Sequence, residues 1–191
     1  KIAFLSKSGL STTTLFQILM GEAEADSGHF EYGQTITTAY LPTDNGKFFN
    51  TKENLIDWLR EFSEDKSEIY IRGFLGKMLF TGEEVFKSAS VLSGGEKVRC
   101  MLSRMMLNEA NLLIIDEPTN HLDLESIQAF NNGLKDYDGT VLFTSHDHTF
   151  VETVANRIIE IGPNGYLDKL MTYDQYINDK RVAEQQAELY A

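Results

Sequence analysis

The run Asn111-Leu-Leu-Ile-Ile-Asp116-Glu117-Pro118-Thr119-Asn120-His121-Leu122-Asp123 decides the fold. Its four apolar residues, Leu112–Ile115, read as a strand buried on both faces, the pattern of a parallel sheet. The strand runs directly into two adjacent acids, and buried carboxylates are costly unless a cation or a polar site receives them. Asp116 is placed to hold Mg²⁺, a hard ion that takes oxygen ligands and keeps several waters. Glu117, one residue on, is placed to orient or deprotonate an attacking water. An acid pair capping a nearby helix would explain the two acids alone. The continuation through Asp123 argues against that simpler reading.

Other segments alternate in the same way. Lys1–Leu5, Val141–Ser145 and Ile158–Ile161 read as buried strands, and Phe30–Tyr32 and Ile36–Leu41 as short strands around Gly33. Thr13–Met20, Ser93–Leu107, Leu124–Leu134 and Phe150–Asn156 have helical spacing. Strands alternating with helices predict an α/β domain with a mainly parallel sheet, and ligands bind such sheets at the strand C-terminal ends. Ser6–Thr12 and residues 43–52 read as polar loops. From Asn54 to Val91 the pattern is helical and interrupted by glycines, which predicts a helical insertion.

Two further clusters carry chemistry. Leu92-Ser93-Gly94-Gly95-Glu96 opens a helix with capping-box spacing. Free N–H groups and the positive helix end favour phosphate there, and Lys97, Arg99 and Arg104 add positive charge. An ordinary capped helix explains the same residues equally well. Ser145-His146-Asp147 follows the strand Val141–Ser145, which places His146 to contact a γ-phosphate. A histidine at a strand end is often structural; its order after the Asp116 strand favours the phosphate role.

The chain has 191 residues, a net charge of -12, 42% hydrophobic and 24% charged residues, which are globular values. Cys100 stands alone, which excludes an internal disulfide and a cysteine-based zinc site. The apolar runs fall far short of the ~20 residues of a membrane span, and no basic segment precedes an apolar one as in a signal peptide. A cytoplasmic protein with no membrane partner is expected. The acidic balance argues against a bulk field for nucleic acid, so no sequence-specific nucleic-acid partner is expected either. That acidity is concentrated in residues 21–46 and 109–138, the second window holding Asp116 and Glu117.

Together these elements resemble an ATP-binding cassette (ABC) ATPase, a P-loop NTPase. Leu92–Glu96 resembles the signature motif, Leu112–Glu117 resembles Walker B with its catalytic glutamate, Leu122-Asp123 the D-loop, and His146 the switch histidine. Pro118–Asp123 and Gly94–Arg99 are similar to the ABC-F branch, whose members carry two cassettes in one chain. The stretch from Arg72–Phe80 to Tyr173–Tyr176 resembles the second cassette of the bacterial subgroup that contains YkpA and YbiT. The resemblance implies one ABC ATPase domain over residues 1–191, with a helical subdomain at 54–91 and a C-terminal tail at 166–191. It implies ATP and Mg²⁺ as bound groups, Thr13 and Asp116 as metal ligands, and Glu117 and His146 as catalytic residues. ATP would lie between two cassettes, supplied by the same longer chain or a dimer partner. Ser93, Gly94, Gly95 and Glu96 would face the partner's ATP. Many members act on the ribosome. In the family an antiparallel sheet, with an aromatic residue that stacks on adenine, precedes the first strand. The sequence begins at that strand, so this sheet is expected to be missing and the chain to be a fragment.

The phosphate loop departs from the family. Ser6-Lys7-Ser8-Gly9-Leu10-Ser11-Thr12-Thr13, followed by Thr14, stands where the pattern is GxxxxGK[ST]. Serines replace two glycines and Thr12 replaces the lysine. Gly9 and Thr13 remain, so a backbone nest and a hydroxyl for Mg²⁺ can persist. Phosphoryl transfer depends on positioned charge, so losing the lysine matters most. Lys7 occupies the second position, as in the deviant loop of MinD-like ATPases. Thr43 stands at the Q-loop position, where glutamine is common. Three functions therefore remain open: an ABC-F ATPase cassette with a weakened site, a nucleotide-binding module without turnover, and the ATPase subunit of a transporter. Asn120-His121 and the 72–80 stretch favour the first.

Overall fold

A computed structural model describes the backbone of residues 1–191 and every side chain except that of His121. Six strands form one sheet: β1 (Ile2–Ser6), β2 (Thr38–Leu41), β3 (Leu112–Ile115), β4 (Thr140–Phe143), β5 (Arg157–Gly162) and β6 (Gly165–Lys169). Their order is β2-β3-β4-β1-β5-β6. Every neighbouring pair is parallel except β5–β6. This is the predicted α/β fold with a mainly parallel sheet.

The continuous apolar run of β3 is explained by its two faces, since successive side chains point opposite ways. Leu112 and Ile114 join Phe4 and Phe16 on one side, while Leu113 and Ile115 enter the larger core on the other. Helix α1 (Gly9–Leu19) covers the first side through Phe16, whose ring meets Phe4 edge-on at 5.4 Å. The second side carries α4 (Gly94–Leu107), α5 (Leu124–Lys135) and α6 (His148–Val154). Helices α2 (Leu55–Arg60) and α3 (Glu68–Lys77) pack on α4 within the same hydrophobic cluster. The chain ends in α7 (Tyr173–Asn178) and α8 (Lys180–Leu189).

Several expectations are corrected. Helix α1 begins at Gly9, not Thr13, so Leu10, Ser11 and Thr12 are helical rather than part of a loop. Serine and threonine are less costly than glycine inside a helix, which lets the helix extend backward. Ser8 is the N-cap, and the Ser11 N–H donates to its carbonyl at 3.0 Å. Phe30–Tyr32 is not a strand, because no strand lies beside it among the described residues to complete a ladder. Its two rings meet edge-on at 5.6 Å, and the Tyr32 hydroxyl donates to the Leu19 carbonyl at 2.8 Å. The polar stretch 43–52 holds a 3-10 turn, Gly46–Phe49, because Phe49 is buried and stacks on Trp58 at 4.8 Å. Within 54–91 the helical pattern resolves into α2, α3 and the 3-10 turns Gly82–Phe86 and Ala89–Val91. The strand expected over Val141–Ser145 ends at Phe143, since the Thr144 and Ser145 side chains turn to hydrogen-bond neighbouring loops. The helix expected from Phe150 starts at His148, capped by Asp147, whose side chain accepts from the Phe150 N–H at 2.7 Å.

Candidate nucleotide site

The C-terminal ends of four adjacent parallel strands meet around one carboxylate. Asp116, directly after β3, is only 1% exposed. Thr13 from α1 and Thr43 from the loop after β2 each donate to its Oδ2 at 2.8 Å. Thr144, directly after β4, donates to Oδ1 at 2.7 Å. Among the described residues no basic side chain pairs with Asp116. Three hydroxyls therefore replace the cation that such a buried charge would ordinarily need. Carboxylate and hydroxyl oxygens are hard donors, so Asp116, Thr13 and Thr43 fit Mg²⁺, which takes one or two carboxylates plus phosphate and water.

Glu117 has left-handed backbone angles, φ 49° and ψ 53°. For a non-glycine residue this stores on the order of 1 kcal/mol of strain. Its N–H donates to Thr144 Oγ1 at 2.9 Å, which holds the turn. Thr144 thus serves both acids, yet only its position before Ser145-His146 could have marked it in the sequence. The Glu117 side chain is mostly enclosed: Oε2 is buried without a partner, and Oε1 lies 3.5 Å from His146 Nε2. Burial raises the Glu117 carboxyl above its usual value of 4.5. His146 opposes that shift and Asp116 adds to it. A carboxylate whose burial favours its protonated form, beside an exposed histidine, is a candidate acceptor for the proton of a water that reaches the site. Thr119 and Ser145 share a hydroxyl contact of 2.8 Å, tying the turn after Glu117 to the loop that carries His146.

The phosphate loop has shrunk to Ser6–Ser8. Ser6 bonds the Ser8 carbonyl, and Thr12, 3% exposed, donates to the Gly9 carbonyl at 2.9 Å. Leu10 and Thr14 lie on the first turns of α1, Leu10 74% exposed. First-turn N–H groups have no partner further up their helix; the Ser11 N–H is taken by the Ser8 carbonyl, which leaves those of Gly9 and Leu10 to an anion. Lys7 points elsewhere: its amine lies 3.7 Å from the centroid of the Tyr190 ring. A cavity of about 240 Å³ lies beside the loop, lined among others by Gly9, Thr12, Glu117, His146 and Glu160.

The Ser93 helix keeps its capping box. Ser93 Oγ accepts from the Glu96 N–H at 3.3 Å, and Glu96 accepts from the Ser93 N–H at 2.8 Å. Burial raises the Glu96 carboxyl, but Lys87 at 2.8 Å and the Ser93 hydrogen bonds outweigh it and hold the group at about 2. Two of the cations read as local charge for phosphate also make packing contacts. Arg99 stacks on Phe80 at 4.5 Å and donates to the Met78 carbonyl, and Arg104 lies 4.0 Å from the Phe62 ring centre. Gly94 and Gly95 form the first turn of α4. Asp123 caps α5 by accepting from the Ser126 N–H at 2.8 Å. Next to these motifs, Val91 and Leu124 are 71% and 73% exposed. Among the described residues, no helix is long and apolar enough to cross a membrane.

A family profile described as ABC transporter matches residues 1–120. The uncharacterized ABC transporter ATP-binding protein YkpA of Bacillus subtilis is 61% identical over 193 residues, covering 100% of this chain and 36% of that protein. ABC transporter F family member 5 of Arabidopsis thaliana is 31% identical, covering 98% of this chain and 28% of that protein. The chain thus spans about a third of the length of the relatives it matches. Among solved structures, the archaeal ribosome recycling factor aABCE1, complexed with the ribosomal stalk protein aP1, superposes with a TM-score of 0.73. Its identity is 19%, covering 100% of this chain and 43% of that one. With the parallel sheet and the Asp116 cluster, these matches place the chain in the ABC transporter family of ATP-binding cassettes, in its ABC-F branch.

Proposed function

We propose that the chain is one ATP-binding cassette of a two-cassette ATPase, with its own nucleotide site weakened at the phosphate loop. The observation that carries this reading is the convergence of Thr13, Thr43 and Thr144 on buried Asp116, with Glu117 and His146 beside it. Asp116 and Thr13 would hold Mg²⁺, which supplies positive charge next to the phosphates. Glu117 orients or deprotonates the attacking water, and His146 contacts the terminal phosphate. Thr43 adds a hydroxyl to the metal side in place of the glutamine of the family. The helix start at Gly9 offers N–H groups, but Thr12 offers no charge, so turnover at this site is slow. Ser93, Gly94, Gly95 and Glu96 face the nucleotide of a second cassette, and Asp123 lies at the same contact. Exposed Leu10, Val91 and Leu124 beside the three motif loops suit that apolar contact. Residues 54–91 act as its helical subdomain and 166–191 as a tail. Action on the ribosome follows the family resemblance and the stalk-protein complex of aABCE1.

The test is titration with a fluorescent ATP analogue, with and without Mg²⁺. Binding should need Mg²⁺ and should fall at least tenfold in Asp116→Ala. Equal binding without Mg²⁺, or with Asp116→Ala, would refute the reading. A transporter ATPase is the second reading, and the ABC-F wording of Pro118–Asp123 weighs against it.

A further inference from the structure

Helix α8 reaches the phosphate loop by a route that the nucleotide reading does not use. Its position is set by contacts with β5 and the β5–β6 turn. Leu189 packs against Gly162, where an added Cβ would come within 2.6 Å of Leu189 Cγ. Asn164 donates from its side chain to the Glu188 and Ala191 carbonyls at 3.1 Å, and from its N–H to the Leu189 carbonyl at 3.2 Å. Gln186 donates to buried Glu160 on β5 at 2.7 Å, and the Tyr176 hydroxyl of α7 donates to the same oxygen. These contacts deliver the next residue, Tyr190, to the loop. Its hydroxyl donates to the Ile161 carbonyl at 3.2 Å and accepts from the Lys7 N–H at 3.3 Å. Its ring carries the Lys7 amine at 3.7 Å.

Lys7 is the only cation of the loop between Ser6 and Thr14. Both of its donors, the main-chain N–H and the amine, are therefore committed to one tail residue. We propose that Tyr190 is a positioning residue of the phosphate loop. By holding Lys7 on its ring and hydroxyl, it competes with an anion for the loop's one cation. The inference rests on the nucleotide reading above and adds a residue 183 positions from Lys7 to it. A cation on an aromatic ring at an exposed site and a neutral hydrogen bond are each modest interactions. Releasing both should tighten anion binding roughly five- to tenfold.

The experiment uses the 191-residue chain. Lys7 is followed by NMR of ¹³C-labelled lysine while MgATP is added. Tyr190→Leu keeps an apolar residue against the sheet, and Tyr190→Phe keeps only the ring. Without nucleotide, the Lys7 side-chain signals should be shifted upfield by the ring, and Tyr190→Leu should abolish that shift. MgATP should erase the shift as the amine leaves the ring. Affinity should rise about five- to tenfold in Tyr190→Leu and about twofold in Tyr190→Phe. In a Lys7→Met background the main-chain N–H still meets the Tyr190 hydroxyl, so Tyr190→Leu should gain only about the twofold of Tyr190→Phe. A missing ring shift overturns the contact. A shift that persists at saturating MgATP, or a Tyr190→Leu gain as large in Lys7→Met as in the parent, overturns the competition while leaving the nucleotide reading intact. Absence of any MgATP binding, with the ring shift present, overturns the nucleotide reading and the competition built on it.

Discussion

Thr144→Val is the sharpest test of how the acid pair is held. Valine has nearly the shape of threonine, so packing is kept and only hydrogen bonds are lost. Thr144 is 3% exposed, donates to Asp116 Oδ1 at 2.7 Å and accepts from the Glu117 N–H at 2.9 Å. Losing a hydrogen bond to a charged group costs about 1.5–3 kcal/mol, and an orphaned buried N–H about 1–3 kcal/mol more. Relaxation of Glu117 from its left-handed conformation returns on the order of 1 kcal/mol. The net expectation is a loss of about 1.5–5 kcal/mol, a large share of the roughly 5–15 kcal/mol of a whole domain. Thr144→Ser keeps both hydrogen bonds and should lose about 1 kcal/mol for one buried methyl. Urea unfolding followed by circular dichroism at pH 7 measures both variants. A Thr144→Val loss under about 0.5 kcal/mol, or equal losses for both variants, would refute the reasoning.

Other consequences are measurable in the same way. Because burial raises the Glu117 carboxyl in the folded state, Glu117 favours folding below pH 4.5, and this is lost as pH rises through the raised value. Glu117→Gln should therefore gain in melting temperature over the parent as pH climbs from 4 to 8, and a constant difference would contradict this. Glu109 is exposed with φ 45°, so Glu109→Gly should stabilise by about 0.5–1 kcal/mol in urea unfolding. Gly162→Ala should destabilise by about 1–3 kcal/mol, because its new Cβ meets Leu189, and limited proteolysis should then release α8 first.

Much of the sheet and of the acid pair was legible because each rests on a local signal. The strand Leu112–Ile115 has the predicted ends, since a doubly buried run followed by acids has few other uses. The Ser93 cap follows from Ser93 and Glu96 alone. What the sequence hid depends on neighbours. Phe30–Tyr32 has the composition of a strand, but a strand needs a partner, and none lies beside it among the described residues. The stacking of Arg99 on Phe80 and of Arg104 on Phe62 joins residues distant in sequence and had no local signal. Thr144 carried no motif of its own, and its importance comes from lying between two acids on adjacent strand ends. The reach of Tyr190 to Lys7 could not be read from residues so far apart.

The central claim is that the Asp116 cluster is a magnesium-nucleotide site weakened by one missing cation. The direct measurement is single-turnover hydrolysis of radiolabelled ATP, with binding of the same nucleotide, by the parent and by Ser11→Gly plus Thr12→Lys. A lysine bonded to phosphate supplies about 1.5–3 kcal/mol, roughly ten- to a hundredfold in affinity. The account predicts a gain of that size in binding and a clear rise in turnover when the loop is restored. Unchanged binding and turnover in the restored loop would contradict it.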